Sequence, residues 1–193
     1  MTNWRRDATV SQRQPPEGNP IELSRPPLAV VLVAVLMIGL GETGGAAMSQ
    51  LRPSIDRYAS ARVKANPAAH GRSGTAEYDD EVRGRAVYSA EAALSFFHTH
   101  AEGLGLILFF TSTLVASVVA ARRVRAALYV LLTGGSLFPL GYLVYGAAVL
   151  ELGREAGIER AEAWVLMPLG SAAIVGLAGL AVCLAARVQA AGR

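Results

Sequence analysis

The sequence contains very little cysteine, histidine or charge. Its 193 residues include one cysteine and three histidines, and only 17% are Asp, Glu, Lys or Arg. The lone Cys183 excludes an intrachain disulfide and any cysteine-ligated cluster. Soluble domains carry about a quarter charged residues, so the low charge argues against a soluble domain. The net charge of +3 does not indicate a nucleic-acid partner, because most basic residues flank apolar runs.

Four long apolar runs separate the charged segments. They cover about 28–48, 91–121, 126–150 and 163–186. Each has the roughly 20 residues that a helix needs to cross the hydrocarbon core of a bilayer. The first run is longer than the apolar core of a signal peptide, which has at most about 15 residues, so we expect it to be retained. The sequence therefore predicts an all-α integral membrane four-helix bundle.

Two longer polar segments lie outside these spans. Residues 1–27 have no apolar periodicity and predict a polar cytoplasmic tail. Residues 49–90 contain prolines, glycines and charged runs, and we expect them to form a polar outer loop. Short pieces of this loop, such as Ile55–Lys64 and Val82–Ala93, are candidates for surface helices. The membrane domain is then 28–193.

The charges in the short loops predict the orientation. The turn at 122–125 carries three Arg and no acidic residue, whereas the loop at 151–162 carries four Glu and two Arg. Cytoplasmic loops are enriched in Lys and Arg, a bias that long loops follow only weakly. We therefore predict a multi-pass protein of the bacterial inner membrane, with both termini cytoplasmic and the 49–90 loop outside.

Few ionisable residues lie inside the predicted spans, and each is a functional candidate because a charge in lipid is costly. They are Glu42 in the first span and His98, His100 and Glu102 in the second. At a helical rise of ~1.5 Å per residue, all four fall in the outer half of the bilayer, as does Met167 in the fourth span. Polar or soft side chains from several helices are thus expected in one layer.

The spacing within the second span separates the two histidines. His98 and Glu102 are four residues apart and share a helix face. His100 points about 200° away from His98, so the two imidazoles are not expected to bind one small ion. We predict that His98 and Glu102 act together and face Glu42 and Met167.

Three interpretations of this layer remain open. Haem iron takes His or Met axial ligands, so haem b is one candidate, bound through His98 or His100 together with Met167 or Met48. A copper, zinc or iron ion is the second, because imidazole suits all three metals and thioether favours copper.

The metal ligands in that second interpretation are His98, Glu102 and Glu42. In the third interpretation the same side chains only form hydrogen bonds between helices and fix the bundle, with no cofactor.

A local resemblance adds to these readings. The segment Phe97–Gly105 contains the pattern His-x-His-x-x-x-Leu-Gly near the start of a predicted span. In this it resembles small bacterial four-helix membrane proteins that are similar to heme-copper oxidase subunit I. The match covers about ten residues and the four-helix layout, and the further helices and His ligands of the oxidase subunit are missing. The resemblance implies haem association or a respiratory neighbourhood.

These observations together favour a non-catalytic membrane subunit. We expect it to hold haem b or a metal ion in the outer leaflet and to associate with a respiratory or electron-transfer complex. The alternative is a purely structural or assembly subunit without a cofactor. We do not expect an enzyme on its own, because no nucleophile elbow or zinc-protease motif is present. The expected partners are the lipid bilayer and other membrane subunits or further copies of the chain.

The predicted orientation is testable with a reporter fused after Arg193. We expect a cytoplasmic signal, because the three Arg of the 122–125 turn fix that side by the positive-inside rule. A second fusion within the 151–162 loop serves as the control and should report from outside. A periplasmic signal after Arg193 would place the layer of polar residues in the inner leaflet instead.

Overall fold

The computed structural model describes residues 23–72 and 74–192, and this part of the chain is helical, with no β-strand. The helices in chain order are α1 (Leu28–Ala65), α2 (Ala76–Val118), α3 (Arg122–Ser136), α4 (Leu140–Leu152), α5 (Arg154–Ala161) and α6 (Met167–Ala191), with a π-helical turn at Glu162–Leu166. Because α3 leads into α4 and α5 leads into α6, they form four long helical segments. All four are long and apolar enough to cross a membrane. The prediction of an all-α chain with four long apolar helices is confirmed.

The first two helices are much longer than a bilayer is thick. α1 has 38 residues and α2 has 43, so they measure ~57 Å and ~65 Å at ~1.5 Å per residue. The hydrocarbon core of a bilayer is ~30 Å thick. Because α1 and α2 are joined by the short connection 66–75, their joined ends project together beyond the apolar runs.

The structure therefore differs from the polar loop expected at 49–90. Most of this segment continues α1 and α2, and Pro53 lies inside α1. We name the projecting part the cap and define it as residues 50–65, 76–93 and 145–161. Its helices are held by a small buried apolar cluster, formed by Ala59, Val63, Ala86, Ala90 and Leu150. The buried residues of this cluster are mostly alanines separated by charged residues, so the sequence shows little helical periodicity of apolar side chains. For this reason the sequence predicts a loop in this segment.

Polar contacts join the tip of the cap to the α4–α5 connection. The guanidinium of Arg62 donates two hydrogen bonds to the carboxylate of Glu151, and Nε to Oε1 measures 2.6 Å. Asn66 donates to the same carboxylate at 3.2 Å, and Nε2 of His70 lies 3.1 Å from the carbonyl oxygen of Leu150. The polar segments 66–75 and 151–162 thus lie at the same end of the molecule, as the predicted orientation requires.

The opposite end contains the start of α1, the turn between α2 and α3, and the end of α6. The backbone N–H of Ser24 donates to the hydroxyl of Ser117 at 3.0 Å. Above this contact lies a buried apolar cluster with members from α1, α2, α3 and α6, among them Val30, Val115 and Leu180. The tail expected at 1–27 falls on the described residues only at 23–27, which are not helical.

Prolines explain the interruptions in the last two helical segments. The span expected at 126–150 divides at Pro139, and residues 137–141 form tight turns with hydrogen bonds between residues three apart. In the last segment the N–H of Met167 donates to the carbonyl of Glu162, five residues back. Pro168 follows directly and has no N–H to donate, and a local change of helical register is a usual response to such a gap.

The close contact of α1 with α2 is testable at Gly105. A Cβ added to Gly105 would lie 2.7 Å from Cγ1 of Ile38 and 3.0 Å from the carbonyl oxygen of Ala34. We therefore expect Gly105→Ala to destabilise the protein by about 1–3 kcal/mol, the usual cost of overpacking. The measurement is thermal unfolding in detergent. The matched control is Gly103→Ala, whose Cβ would meet nothing within 4 Å and whose helix propensity should improve. Equal stability changes in the two variants would contradict this account.

Candidate functional site

His98 is held in place by the backbone of the neighbouring helix. Its Nδ1 lies 2.9 Å from the carbonyl oxygen of Gly41 on α1. A carbonyl oxygen only accepts, so Nδ1 must carry the hydrogen and donate it. In the neutral ring this leaves Nε2 without a hydrogen, as an acceptor or ligand atom. Nε2 of His98 makes no hydrogen bond with any residue in the described part of the chain.

Glu102 lies beside the same ring nitrogen. Its Oε1 is 2.6 Å from Nδ1 of His98, as expected for residues four apart on one helix. The single Nδ1 hydrogen points to Gly41, so this buried Oε1 receives no hydrogen bond from a described residue. A carboxylate and a carbonyl thus both face Nδ1 of His98. In many metal sites, a hydrogen bond from the second ring nitrogen of the histidine to a carboxylate or a backbone carbonyl fixes the tautomer and the ring orientation.

A missing side chain on α1 makes room for the ring. A Cβ added to Gly45 would lie 2.7 Å from Cε1 of His98 and 3.0 Å from Nε2. The imidazole therefore occupies the space that any other residue at position 45 would fill. Glycines in membrane helices allow such close approach between neighbours, so the Gly-rich stretch of α1 is explained by contact with α2.

His98 lines an open groove between α1 and α2. The groove has a volume of about 760 Å³ and also contains Glu42, Met48, Ser49 and Leu94. Ligand sites commonly have volumes of ~300–1,000 Å³. Glu42 is exposed, and it forms no hydrogen bond or ion pair with a described residue.

An ion pair closes the end of this groove that is nearer the cap. Nε of Arg52 lies 3.0 Å from Oε1 of Glu91, and both residues line the groove. The Arg52 side chain is 73% exposed, so water screens this pair strongly and it adds little stability. This pair joins α1 to α2 at the height where the cap begins. His98 then lies ~10 Å below Glu91 along α2.

His100 has entirely different surroundings. Its ring packs against three aromatic rings, with centroid distances of 5.1 Å to Tyr142, 6.0 Å to Phe138 and 6.2 Å to Phe96. Its Nδ1 lies 2.9 Å from the carbonyl oxygen of Phe96 on its own helix. Tyr142 and Phe138 come from the break between α3 and α4. The two histidines therefore face different neighbours, α1 for His98 and the α3–α4 break for His100.

Met167 is not beside His98. It is 66% exposed at the start of α6, and it is not among the residues that line the groove. The thioether that shares the groove with His98 belongs to Met48. Of the residues predicted to form one site, the structure places Glu102 against His98 and places Glu42 at the same groove as His98, but the three do not form one cluster of metal ligands. The sequence contains the signal for Met48, because it lies within about two helical turns of Glu42 on α1.

The ligand atoms that the groove offers can be compared with the haem and the metal ions that the sequence suggests. One imidazole nitrogen and one thioether in a shared groove fit the axial-ligand types of haem iron and the ligand preference of copper. Within residues 23–72 and 74–192, no cluster of three or more His, Cys, Asp or Glu side chains is arranged for a metal ion. The described residues of the groove thus offer one imidazole nitrogen and one thioether, which are ligand types of haem iron and copper.

Comparisons with known proteins add no assignment. No protein-family model matches this chain, and neither a curated protein nor a solved structure matches it.

Proposed function

We propose that this chain is a non-catalytic membrane subunit that holds haem b or a metal ion through Nε2 of His98. The observation that carries the proposal is the arrangement at Nδ1, which donates to the carbonyl of Gly41 and lies beside the carboxylate of Glu102. Both partners hold Nδ1 as the donor nitrogen, so the lone pair of Nε2, which lies over Gly45 on the wall of the groove, is left for a ligand. Nε2 of His98 is therefore oriented in advance for a ligand.

The groove supplies three further features that support this proposal. Met48 offers a soft sulfur atom at the same groove as His98. Glu42 places a carboxylate at a depth where charges are costly unless they are paired, and a bound cation or a neighbouring subunit would supply the missing partner. The wall also contains apolar residues such as Leu94, which keep water away from a bound group.

The location and the associations belong to the same proposal. The groove would lie in the outer leaflet of a bacterial inner membrane, with both chain termini in the cytoplasm. Bound haem or copper would carry one electron at a time, which suits a subunit of a respiratory or electron-transfer complex. The chain's own contribution is to bind the group, to orient His98 and to exclude water.

A purely structural or assembly role is the second candidate, and one observation favours it. The hydrogen bond from His98 to the Gly41 carbonyl joins α1 to α2 directly. Such interhelical bonds contribute about 0.6 kcal/mol on average in membrane proteins. In this case His98 stabilises the helix pair and needs no occupant in the groove.

The two candidates are separated by a visible spectrum and metal analysis of the full chain purified in mild detergent from its native membrane. If a group is bound at His98, we expect a Soret band or a stoichiometric metal, and we expect it to be lost in His98→Ala. The loss should be nearly complete, because an axial or metal ligand has no substitute in the groove once Nε2 is removed.

The other two histidines provide matched controls. His100→Ala and His70→Ala should retain the group, because His100 packs among aromatic rings and His70 lies in the cap. Retention of the band in His98→Ala would refute the assignment to His98. Absence of both band and metal in the wild-type protein would leave the structural role, which predicts only a lower melting temperature for His98→Ala.

A further inference from the structure

A second, apolar furrow runs along the cap between α1, α2 and α4. Its volume is about 370 Å³, and its walls include Leu51, Ile55, Leu143, Ala147 and Leu150. None of the described residues that line it carries a charge. The furrow is therefore chemically unlike the neighbouring groove of His98, although Ile55 and Leu94 line both.

The furrow starts at the edge of the apolar layer and continues above it. A Cβ on Gly141 would touch Leu166, just before α6 begins, so this level of α4 coincides with the start of the apolar part of α6. Leu150 lies ~14 Å higher along α4, at ~1.5 Å per residue. The lower end of the furrow thus opens beside the lipid, and its upper end lies within the cap.

Apolar residues on the α1 wall of this furrow remain exposed although they lie beyond the predicted span 28–48. Leu51 is 52% exposed and Tyr58 is 60% exposed. An apolar surface in water gains free energy when something covers it, and contiguous exposed apolar patches usually mark a binding site. The ion pairs of the cap lie elsewhere, among them Arg62 with Glu151 and Arg52 with Glu91.

The size and chemistry of the furrow indicate its occupant. A methylene group takes about the ~30 Å³ of a water molecule, so 370 Å³ holds a chain of roughly a dozen carbons. An α-helix with its side chains is ~10–12 Å across and would not enter so small a space. The floor is formed by small residues packed tightly together, since a Cβ on Gly146 would already lie 3.0 Å from Cβ of Ala93.

From these observations we infer that the furrow binds the acyl chain of a membrane phospholipid, which enters from the adjoining leaflet. The lining offers no charge to recognise a peptide or an anion, and the open lower end is continuous with the lipid layer. The inference is independent of any group bound at His98, because it rests on the α4 side of the cap.

The test uses the full chain in nanodiscs of phosphatidylethanolamine and phosphatidylglycerol with a trace of phosphatidylcholine whose acyl chain carries a diazirine. After illumination, peptides are mapped by mass spectrometry. We expect labels within 51–58, which lies beyond the predicted span 28–48, and on the facing stretch 143–150 of α4. Ala147→Trp should remove most of the labelling at 51–58, because the indole fills the furrow from an exposed position on α4.

The matched control is Val144→Trp, which lies on the same helix, is 41% exposed and does not line the furrow. It should retain the wild-type labelling. Ser54→Trp blocks the furrow from the α1 wall and covers the case in which Ala147→Trp fails to fold. Labels confined to 28–48 and 167–191 in the wild-type protein, or unchanged labelling in both blocking variants, would overturn the inference.

Discussion

The close approach of α1 to α2 is the constraint on which the other features depend. At Gly105 the two backbones come so near that even one methyl group would meet Ile38 and Ala34. The same approach lets the ring of His98 fill the space above Gly45 and reach the carbonyl of Gly41. A wider spacing would leave Nδ1 of His98 without an acceptor and free the ring to rotate. The site is therefore a product of helix packing and does not need a dedicated loop.

The cap depends on the same helix pair but is stabilised differently. The ion pair of Arg52 with Glu91 is screened by water because the Arg52 side chain is 73% exposed, and screened pairs add little stability. The buried members of its apolar cluster contribute more, since complete burial of a side chain such as Val63 is worth about 1.5–3 kcal/mol. Burial of these few residues keeps α1 and α2 helical well beyond their apolar runs. The hydrogen bonds of Arg62, Asn66 and His70 at the tip of the cap then fix the α4–α5 connection against α1 and the segment 66–75.

Much of the architecture follows from the sequence because the four apolar runs are long and clearly separated by charged segments. The apolar runs correctly locate parts of all four helical segments, and the four-residue spacing of His98 and Glu102 correctly places them side by side. The full extent of α1 and α2 does not follow, because their cap portions are polar and their buried residues are mostly alanines. Pro53 also reads as a break, yet α1 continues through it.

The composition of the site was predictable only within a helix. Periodicity shows that His98 and His100 point apart, but it does not show which helix each one meets. That Phe138 and Tyr142 surround His100 depends on how α4 packs against α2 after the break at Pro139. Met167 was predicted as a ligand from its depth along α6, but it does not line the groove. Met48 does line it, because Met48 and His98 lie on the same side of the α1–α2 contact. The depth of a residue along its helix can be predicted from the sequence, but the neighbouring helix that its side chain contacts cannot.

The position of the site in the chain has a consequence for biosynthesis. The residues that orient His98 and line its groove all belong to α1 and α2, so they are made before α3 to α6 leave the ribosome. A hairpin of two adjacent helices is also the smallest unit that can pair within the membrane during insertion. The groove beside His98 therefore needs only this hairpin in order to form. The furrow, in contrast, exists only after α4 has docked against that hairpin.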